Sequence, residues 1–397
     1  MPIKVVLPES VGLERDLRSK IRHVDNKPLD EKDLSEYDNH TVFYDVFFNV
    51  GNSRLYLLGP PLLNLRKALL PLSVKLNGIK VSLSINEYFK KRYVEICAEV
   101  PPDSVRTVNR VELDFNGVFD VALNVEWNQQ QRHTRILTTL QKNNRPTWIK
   151  EWVRYYQTCF DIDAVVLYDN GSENIQQLRE ELDGVIIEDW NYPYGVISSH
   201  DNKFCQYGSL NHCRLKYGCG SVIFNFDIDE ILCVDSVWLN QQMQRFDVLY
   251  FDSYSVPFTC IDVENYTFGD FSKRNRYSRK SAKKYIYHDA SVIANNVHYT
   301  RNVKSEFLNK IQAEIIRLLR KMRKIRLFSK LAVFLIESIS KTRQVELHEG
   351  YFLHYDGITT NWKSIYHNRL GQESDSVNLV DINPSYLARI REISSSQ

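Results

Sequence analysis

The most informative run of residues in the chain is Ser221-Val222-Ile223-Phe224-Asn225-Phe226-Asp227-Ile228-Asp229-Glu230-Ile231-Leu232. An apolar run of strand type ends here in three acids, and an apolar pair follows them. A strand that is buried on both faces reads as a continuous hydrophobic run. Open α/β sheets bind ligands in the crevice outside the carboxyl ends of their strands, so we expect the acids to face such a crevice. Two aspartates one residue apart beside a third acid form a hard oxygen site, which suits Mg²⁺ or Mn²⁺ carrying a diphosphate.

Strands and helices are predicted to alternate before this stretch. Residues 146–160 place apolar side chains at helical spacing, and residues 164–168 form a second buried run of strand type. Further predicted strands and helices cover residues 134–140, 173–182, 185–187 and 202–217. Alternation of this kind implies right-handed βαβ units around a mostly parallel sheet, so the predicted fold class is α/β.

The N-terminal third predicts a separate, antiparallel β domain. The pair Asn77-Gly78 and the pair Asn116-Gly117 each lie between alternating apolar residues. Asn-Gly in this setting is a strong signal for a β-hairpin. We therefore predict a β-rich domain over residues 1–132, which ends in a polar stretch.

Length and composition fit a two-domain globular protein and exclude several other classes. The chain has 397 residues with a formal net charge of +2, so no global charge favours a nucleic-acid partner. Its seven cysteines are scattered without a CxxC pair, which argues against a disulfide framework and against a zinc site. Neither a signal-peptide pattern nor an apolar run of about 18 residues is present in the sequence. We expect a cytoplasmic protein with reduced thiols.

A basic segment interrupts the second half of the chain. Residues 310–330 contain eight Lys and Arg against one acid, Glu314, with apolar residues at helical spacing. The segment 304–345 is predicted to be a helical insertion, and residues 346–397 to complete the catalytic domain. An amphipathic basic helix of this kind can lie on an anionic membrane surface, which would place the protein peripherally on the inner face of the membrane. The alternative is a helical hairpin packed on the protein with a solvated basic face.

Seven motifs follow one another along the second part of the chain. In chain order they are TTLQKN at 138–143, WIKEWVRYY at 148–156, VLYDNGS at 166–172, FDIDE at 226–230, KYIY at 284–287, His298, and LHY at 353–355. Together they resemble the motifs of glycosyltransferase family 92 and the related family 2-like enzymes of bacterial surface polysaccharide synthesis. The resemblance covers residues 134–370 apart from the basic segment. Membership would imply a GT-A fold, which is a Rossmann-like catalytic domain, here from residue 133 to 303, with a DxD metal motif.

The resemblance implies a metal centre built on the acids. Like charges that lie together repel, so a cluster of three acids is best tolerated when a cation neutralises it. By similarity Asp229 is the direct ligand of Mn²⁺ or Mg²⁺, and Asp227 binds the metal or the ribose. His354 is the late histidine that would complete the metal shell. A histidine in an apolar strand can equally be a core residue satisfied by a hydrogen bond.

The resemblance also implies residues that bind the nucleotide. Asp169 and Asn170 end a strand where similar enzymes hold the base and ribose, although an Asx-turn explains the same residues. Lys142 ends the first strand at a place where the family usually carries an acid. Lys284 matches the lysine that the family places near the diphosphate, where a positive charge offsets that of the phosphates.

An inverting transfer needs a general base near the acceptor hydroxyl, usually a carboxylate after the metal motif. Asp252, Asp262, Glu264 and Asp270 all qualify by position. Asp252 follows a predicted strand, and Asp270 matches a turn of the family; the sequence leaves the choice open.

These expectations predict a metal-dependent glycosyltransferase. It would move a hexose such as galactose from a UDP-sugar donor to a saccharide or lipid-linked acceptor. Two alternatives stay open. The unusual Lys142 favours a non-catalytic glycan-binding or assembly protein on a degenerate transferase fold, and the strand that ends in DxD also occurs in phosphatases.

Overall fold

The computed structural model gives the fold of most of the chain. It describes residues 5–6, 37–38, 41–49, 51–63, 66–88, 92–101, 108, 110–117, 119–124, 133–195, 203–258, 266–302, 344–358 and 378–395. The predicted basic segment, residues 304–345, lies almost wholly outside the described residues, as do Asp262 and Glu264.

The first part of the chain forms antiparallel strands. They are β1 (Val5–Val6), β2 (Thr41–Phe43), β3 (Asp45–Asn49), β4 (Arg54–Gly59), β5 (Leu72–Leu76), β6 (Ile79–Val81), β7 (Leu83–Tyr88), β8 (Tyr93–Glu99), β9 (Arg110–Phe115) and β10 (Phe119–Asn124). A short helix, α1 (Arg66–Leu69), precedes β5. One four-stranded sheet has the order β3-β4-β8-β7 and another the order β10-β9-β5-β6. Apolar side chains of both sheets belong to one buried cluster, as in a sandwich.

The two predicted hairpins are confirmed. Leu76 pairs with Ile79 across the first turn, where Asn77 and Gly78 both have positive φ, of 47° and 83°. Asn116 and Gly117 repeat the positive φ between β9 and β10. Asparagine and glycine tolerate this left-handed backbone, which matches the twist of the flanking strands.

The rest of the strands build a large sheet and two small ribbons. They are β11 (Arg135–Gln141), β12 (Ala164–Asp169), β13 (Val185–Asp189), β14 (Val222–Asn225), β15 (Glu230–Cys233), β16 (Val248–Val256), β17 (Lys273–Asn275), β18 (Arg279–His288), β19 (Val292–Asn295), β20 (Thr300–Asn302), β21 (Gln344–Tyr355) and β22 (Leu379–Asp381). Eight of them form one sheet in the order β13-β12-β11-β14-β18-β16-β21-β15.

The helices confirm the predicted alternation. They are α2 (Pro146–Phe160), α3 (Ile175–Glu181), α4 (Phe204–Lys216), α5 (Ser236–Arg245) and α6 (Pro384–Ser395). Helix α2 has Pro146 at its first turn, where a missing N–H costs nothing, and ends at Asp161 in the left-handed region. Its buried face carries Trp148, Trp152 and Tyr156, as the spacing predicts.

The prediction of a mostly parallel sheet is wrong in the second half. Strands β12 and β13 are parallel, as are β16 and β21. Strand β18 runs antiparallel to both β14 and β16, and β15 runs antiparallel to β21. The protein is therefore mixed α/β, because late strands enter the large sheet in both directions.

The described contacts divide the chain into two compact units that interleave along the sequence. The first contains Met1–His133, Thr138–Asn143 and Ala164–Cys219, and the second contains the remainder. In the first unit α4 lies against the N-terminal strands, where a Cβ at Gly208 would lie 2.5 Å from the ring of Tyr44. Units that are defined by contacts need not coincide with domains. The predicted domain boundaries therefore stay predictions.

One further finding concerns membranes. None of the helices in the described part of the chain combines the length and the apolar character that a bilayer crossing requires.

Candidate metal centre

The acids of the DxD motif lie in a turn, not at the end of one strand. Strand β14 ends at Asn225, and the N–H of Glu230 donates to the carbonyl oxygen of Asp227 at 3.0 Å. Glu230 is then the first residue of β15. The expectation that the acids lie at the carboxyl end of one strand is therefore wrong, because the chain turns over residues 227–230.

Pairing of the late strands brings His354 to this turn. Glu230 lies opposite His354 in the β15–β21 register, and the N–H of Tyr355 donates to the carbonyl oxygen of Asp229 at 2.8 Å. The imidazole Nε2 of His354 lies 3.6 Å from Oδ2 of Asp229. Within the described residues, ligand atoms of Asp229, Glu230 and His354 all lie within 4.8 Å of one another. We call these three residues the acid–histidine cluster.

A buried lysine lies beside the cluster. Lys284 is only 2% exposed and stands on β18, which pairs with β14 through Asn225 and Tyr285. Its Nζ lies 2.8 Å from Oδ2 of Asp227 and 3.3 Å from Oε2 of Glu230. The N–H of Asp227 donates to the same Glu230 oxygen at 2.7 Å. The resemblance placed Lys284 near the diphosphate, and the structure places it among the acids that would hold the metal.

The electrostatics show that Glu230 is not fully compensated. Burial, and then repulsion by Asp227 and Asp229, outweigh the attraction of Lys284 and raise the pKa of Glu230 to about 7. Burial alone would lower the pKa of Lys284, but Asp227 and Glu230 raise it well above its usual range. The lysine therefore stays charged while the glutamate is close to accepting a proton.

The donor set fits a divalent ion. Two ligands that each lie about 2.1 Å from one ion are roughly 3 Å apart at right angles and roughly 4 Å apart in line. The 3.6 Å between His354 and Asp229 falls inside this interval. Two carboxylates suit Mg²⁺ and Mn²⁺, and the imidazole nitrogen favours the transition metal. A divalent cation here would also remove the charge excess that raises the pKa of Glu230.

Of the four candidates for a general base, Asp252 and Asp270 lie among the described residues, and their surroundings differ. Oδ1 of Asp252 lies 3.9 Å from Nζ of Lys283, at an irregularity in the register of β16. Neighbouring side chains of a strand face opposite sides, so Lys283 and Lys284 diverge, and contact with Lys283 does not bring Asp252 to the cluster. Asp270 accepts from the N–H and the hydroxyl of Thr267 and caps the 3₁₀ turn Phe268–Asp270.

Asp169 and Asn170 hold their own loop together. The carboxylate of Asp169 accepts from the N–H groups of Gly171 and Ser172, at 3.1 and 2.9 Å, and from the Gln141 amide. The amide of Asn170 donates to the carbonyl oxygens of Trp190 and Tyr192, at 2.9 and 2.7 Å. The bond from the N–H of Gly171 to Asp169 is that of an Asx-turn, whereas the bonds of Asn170 connect this loop to the segment that follows β13. Both residues are buried.

Lys142 is exposed and follows directly after β11. It belongs to the first contact unit, as do Asp169 and Asn170, whereas the acid–histidine cluster belongs to the second. Of the predicted site residues the structure thus brings together Asp227, Asp229, His354 and Lys284.

Two functional candidates were missed in the sequence. Glu230 was included as the third acid but was not assigned as a ligand; its carboxylate is a potential ligand, and the signal was its place next to the DxD pair. Asp356 was not singled out at all. Its Oδ1 lies 3.3 Å from Nδ1 of His354, and its position two residues beyond that histidine was the available signal.

Burial would raise the pKa of Asp356, but hydrogen bonding and attraction by His354, together with Ser255 and Arg279, hold it below its usual range. The polar contacts of the cluster therefore extend from Asp229 through His354 to the charged carboxylate of Asp356.

Comparisons with models of known protein families and with curated proteins found no match for this chain.

Proposed function

We propose that the protein is a metal-dependent glycosyltransferase with a GT-A type of catalytic domain. It would transfer a hexose from a UDP-sugar to a saccharide or lipid-linked acceptor. The observation that carries the proposal is the acid–histidine cluster, in which two buried carboxylates and an imidazole converge within 4.8 Å.

The sheet order supports the proposal. Counted along the chain, the first four strands of the large sheet, β11 to β14, take the order 3-2-1-4. A nucleotide-binding doubly wound sheet has the order 3-2-1-4-5-6 and binds ligands where the order reverses, between strands 1 and 4, so these four strands match its first half and the strand after the reversal. Strand β14 occupies that position, and its carboxyl end leads into Asp227. The acids thus follow the strand at which a nucleotide site is expected.

Each residue of the site has a physical role in this proposal. Asp229, Glu230 and His354 would hold Mn²⁺ or Mg²⁺. A bound divalent ion would supply charge stabilisation for the diphosphate as it leaves the sugar. Lys284 fixes the carboxylate of Asp227 at 2.8 Å and keeps a permanent positive charge beside the acids. The cluster is accessible at His354, whose side chain is 19% exposed, and the side chain of the neighbouring Asp227 is 37% exposed.

Replacement of Asp229 tests the proposal directly. The wild-type protein is expected to release UDP from at least one UDP-hexose in the presence of Mn²⁺. Asp229→Asn should lower that rate by about 100-fold or more, because the amide cannot supply the charged ligand. Asp381→Asn is a matched control, since Asp381 is 80% exposed and pairs with surface Lys273. It should keep the wild-type rate.

The outcomes separate the alternatives. Undiminished hydrolysis by Asp229→Asn would overturn the metal assignment. Vanadate-sensitive turnover of an aryl phosphate, without release of UDP, would favour the phosphatase alternative. Stabilisation by UDP and Mn²⁺ without turnover of any donor would favour the non-catalytic binding protein. Attraction to anionic membranes through residues 304–341 stays a separate prediction, tested with anionic liposomes at low salt.

A further inference from the structure

His354 has polar partners on both sides of its ring. Its Nε2 lies 3.6 Å from Oδ2 of Asp229, and its Nδ1 lies 3.3 Å from Oδ1 of Asp356. A neutral imidazole has one N–H and one lone pair. When the N–H on Nδ1 faces a carboxylate, the lone pair is on Nε2, which here faces the acids. This arrangement is how proteins commonly fix the tautomer of a metal-binding histidine.

Asp356 is itself held from the neighbouring strands. Its N–H donates to the carbonyl oxygen of Val256 at 3.0 Å, and the hydroxyl of Ser255 donates to its Oδ2. The guanidinium of Arg279 lies 3.5 Å from its Oδ1 and donates to the Ser255 hydroxyl at 3.0 Å. Ser255 is fully buried and lies opposite His354 in the β16–β21 register. The carboxylate therefore has a fixed orientation that does not depend on the histidine.

We propose that Asp356, held by Ser255 and Arg279, is a positioning residue that orients His354 with Nε2 towards the metal and so gives the centre its preference for Mn²⁺ over Mg²⁺. This inference rests on the proposed function, because it requires a metal at the acid–histidine cluster. An imidazole nitrogen adds more to the binding of a transition metal than to that of Mg²⁺, which prefers oxygen ligands. A ring free to rotate or to change tautomer would supply that nitrogen only part of the time.

A purely structural role for Asp356 makes different predictions. If the carboxylate served only as the partner of Arg279, its removal would change stability and affect both metals equally. A positioning role instead changes the ratio of the two affinities. It also makes the effects of replacing Asp356 and His354 non-additive, because the first acts through the second.

The test measures dissociation constants of Mn²⁺ and Mg²⁺ on the full chain by calorimetry, with UDP present. Asp356→Ala should weaken Mn²⁺ binding by about 10- to 100-fold, the usual effect of losing such an outer partner. Mg²⁺ binding should weaken by a clearly smaller factor. Asp356→Asn keeps an acceptor oxygen, so it should weaken Mn²⁺ binding by less than Asp356→Ala does. Ser255→Ala should weaken Mn²⁺ binding by less than either replacement of Asp356. Asp381→Ala should leave both constants unchanged.

The double variant Asp356→Ala/His354→Ala completes the experiment. It should bind Mn²⁺ no more weakly than His354→Ala alone. Equal loss of both metals, or additive losses in the double variant, would overturn the positioning role while the metal centre stands. If the wild-type protein binds neither metal with UDP, the proposed function fails and the inference fails with it. Unfolding curves of the metal-free variants identify any that do not fold, and Asp356→Asn and Ser255→Ala then decide the result.

Discussion

Two buried lysines in this protein each lie between two carboxylates, but their surroundings differ. In the first contact unit, Nζ of Lys216 lies 3.1 Å from Asp45 and 3.1 Å from Glu188. In the second, Nζ of Lys284 lies 2.8 Å from Asp227 and 3.3 Å from Glu230. The geometry of the two ion pairs is nearly the same, so what distinguishes them is the set of groups around each pair.

The acids of the two clusters have opposite pKa shifts. Burial alone would raise the pKa of Asp45, but the hydrogen bond from His212 and the charge of Lys216 lower it to about 2. Glu188 is also held below its usual pKa, since His212 and Lys216 outweigh its burial. At the other cluster burial and two nearby aspartates raise the pKa of Glu230 to about 7. The first cluster is compensated by the protein, whereas the second holds more negative charge than its lysine balances.

The opposite pKa shifts of these acids distinguish a structural ion cluster from a functional one. A closed cluster contains the donors that its acids need. An open cluster leaves acids in excess and partly accessible, which costs stability unless a ligand supplies positive charge. Replacing the lysine of each cluster should therefore have unequal effects.

The largest effect is expected for Lys216→Met. It leaves Asp45 and Glu188 buried without their cation, and breaking a buried pair in this way typically costs ~3–5 kcal/mol of unfolding free energy. Urea denaturation at pH 7 measures the change. Lys273→Met is the control, because the Lys273 side chain is 53% exposed, and its removal should cost less than about 0.5 kcal/mol. A loss below about 1 kcal/mol for Lys216→Met would mean that the first cluster is not closed.

A smaller loss, ~1–2 kcal/mol, is expected for Lys284→Met in the absence of metal. Glu230 already has a pKa of about 7, so it can take up a proton at neutral pH for little free energy when the lysine is removed. Thermal unfolding without Mn²⁺ measures the stability that each variant loses, and unfolding with Mn²⁺ measures how much of that loss the metal offsets. Mn²⁺ should reduce the stability difference from the wild type for Lys284→Met and leave that difference unchanged for Lys216→Met, because the metal stabilises every variant with an intact centre. If both variants lose the same stability and Mn²⁺ changes neither difference, the contrast between the clusters does not hold.

The smallest effect extends the comparison to a third buried acid. Burial raises the pKa of Glu151 from 4.5 to about 7, against a hydrogen bond from the N–H of Phe268. The pKa of Glu151 is higher in the folded state than in the unfolded state. Its contribution to the free energy of unfolding is therefore fully present below pH 4.5 and is lost as the pH rises through about 7. Glu151→Gln keeps an acceptor oxygen and cannot ionise. It should match the wild type at pH 4 and be more stable by ~1 kcal/mol at pH 8.

Urea denaturation across this pH range decides the matter. Glu173→Gln is the control, since Glu173 is exposed and the same replacement there should change the free energy of unfolding by less than about 0.5 kcal/mol. A variant at position 151 whose stability falls with pH in parallel to the wild type would show that Glu151 does not carry the effect.

The elements from α2 to β14 could be predicted from the sequence because their signals are local. Helix α2 has an apolar stripe at helical spacing and a proline at its start, and the strands that follow it are short apolar runs. The hairpin at Asn77-Gly78 was equally clear, since few residues accept positive φ.

The order of the late strands could not be predicted in this way. Strand β18 pairs with β14 and β16, and β21 pairs with β15 and β16, across long separations in sequence. Registers of this kind depend on packing between distant segments, for which no local pattern exists.

The candidate site could be predicted only in part, because the types of its residues are visible in the sequence but the pairing of the strands that carry them is not. Asp227 and Asp229 were singled out by residue type and spacing, and His354 by the resemblance. The structure brings the three residues together. The turn at Asp227 and the role of Glu230 depend on the β15–β21 pairing, which the sequence does not reveal. Asp169 and Asn170 illustrate the reverse problem, because the residues that bind nucleotides are also those that close turns.

The packing of α4 on β3 has a consequence for how the protein is made. Phe47 of β3 contacts the ring of His212, with centroids 5.0 Å apart, and Asp45 meets a lysine that follows it 171 residues later. A ribosome adding about 5–20 residues per second needs roughly 10–30 s to cover that distance. During this interval the N-terminal strands emerge with one side uncovered. The first unit therefore closes late in synthesis, and the growing chain offers a defined period for chaperone binding.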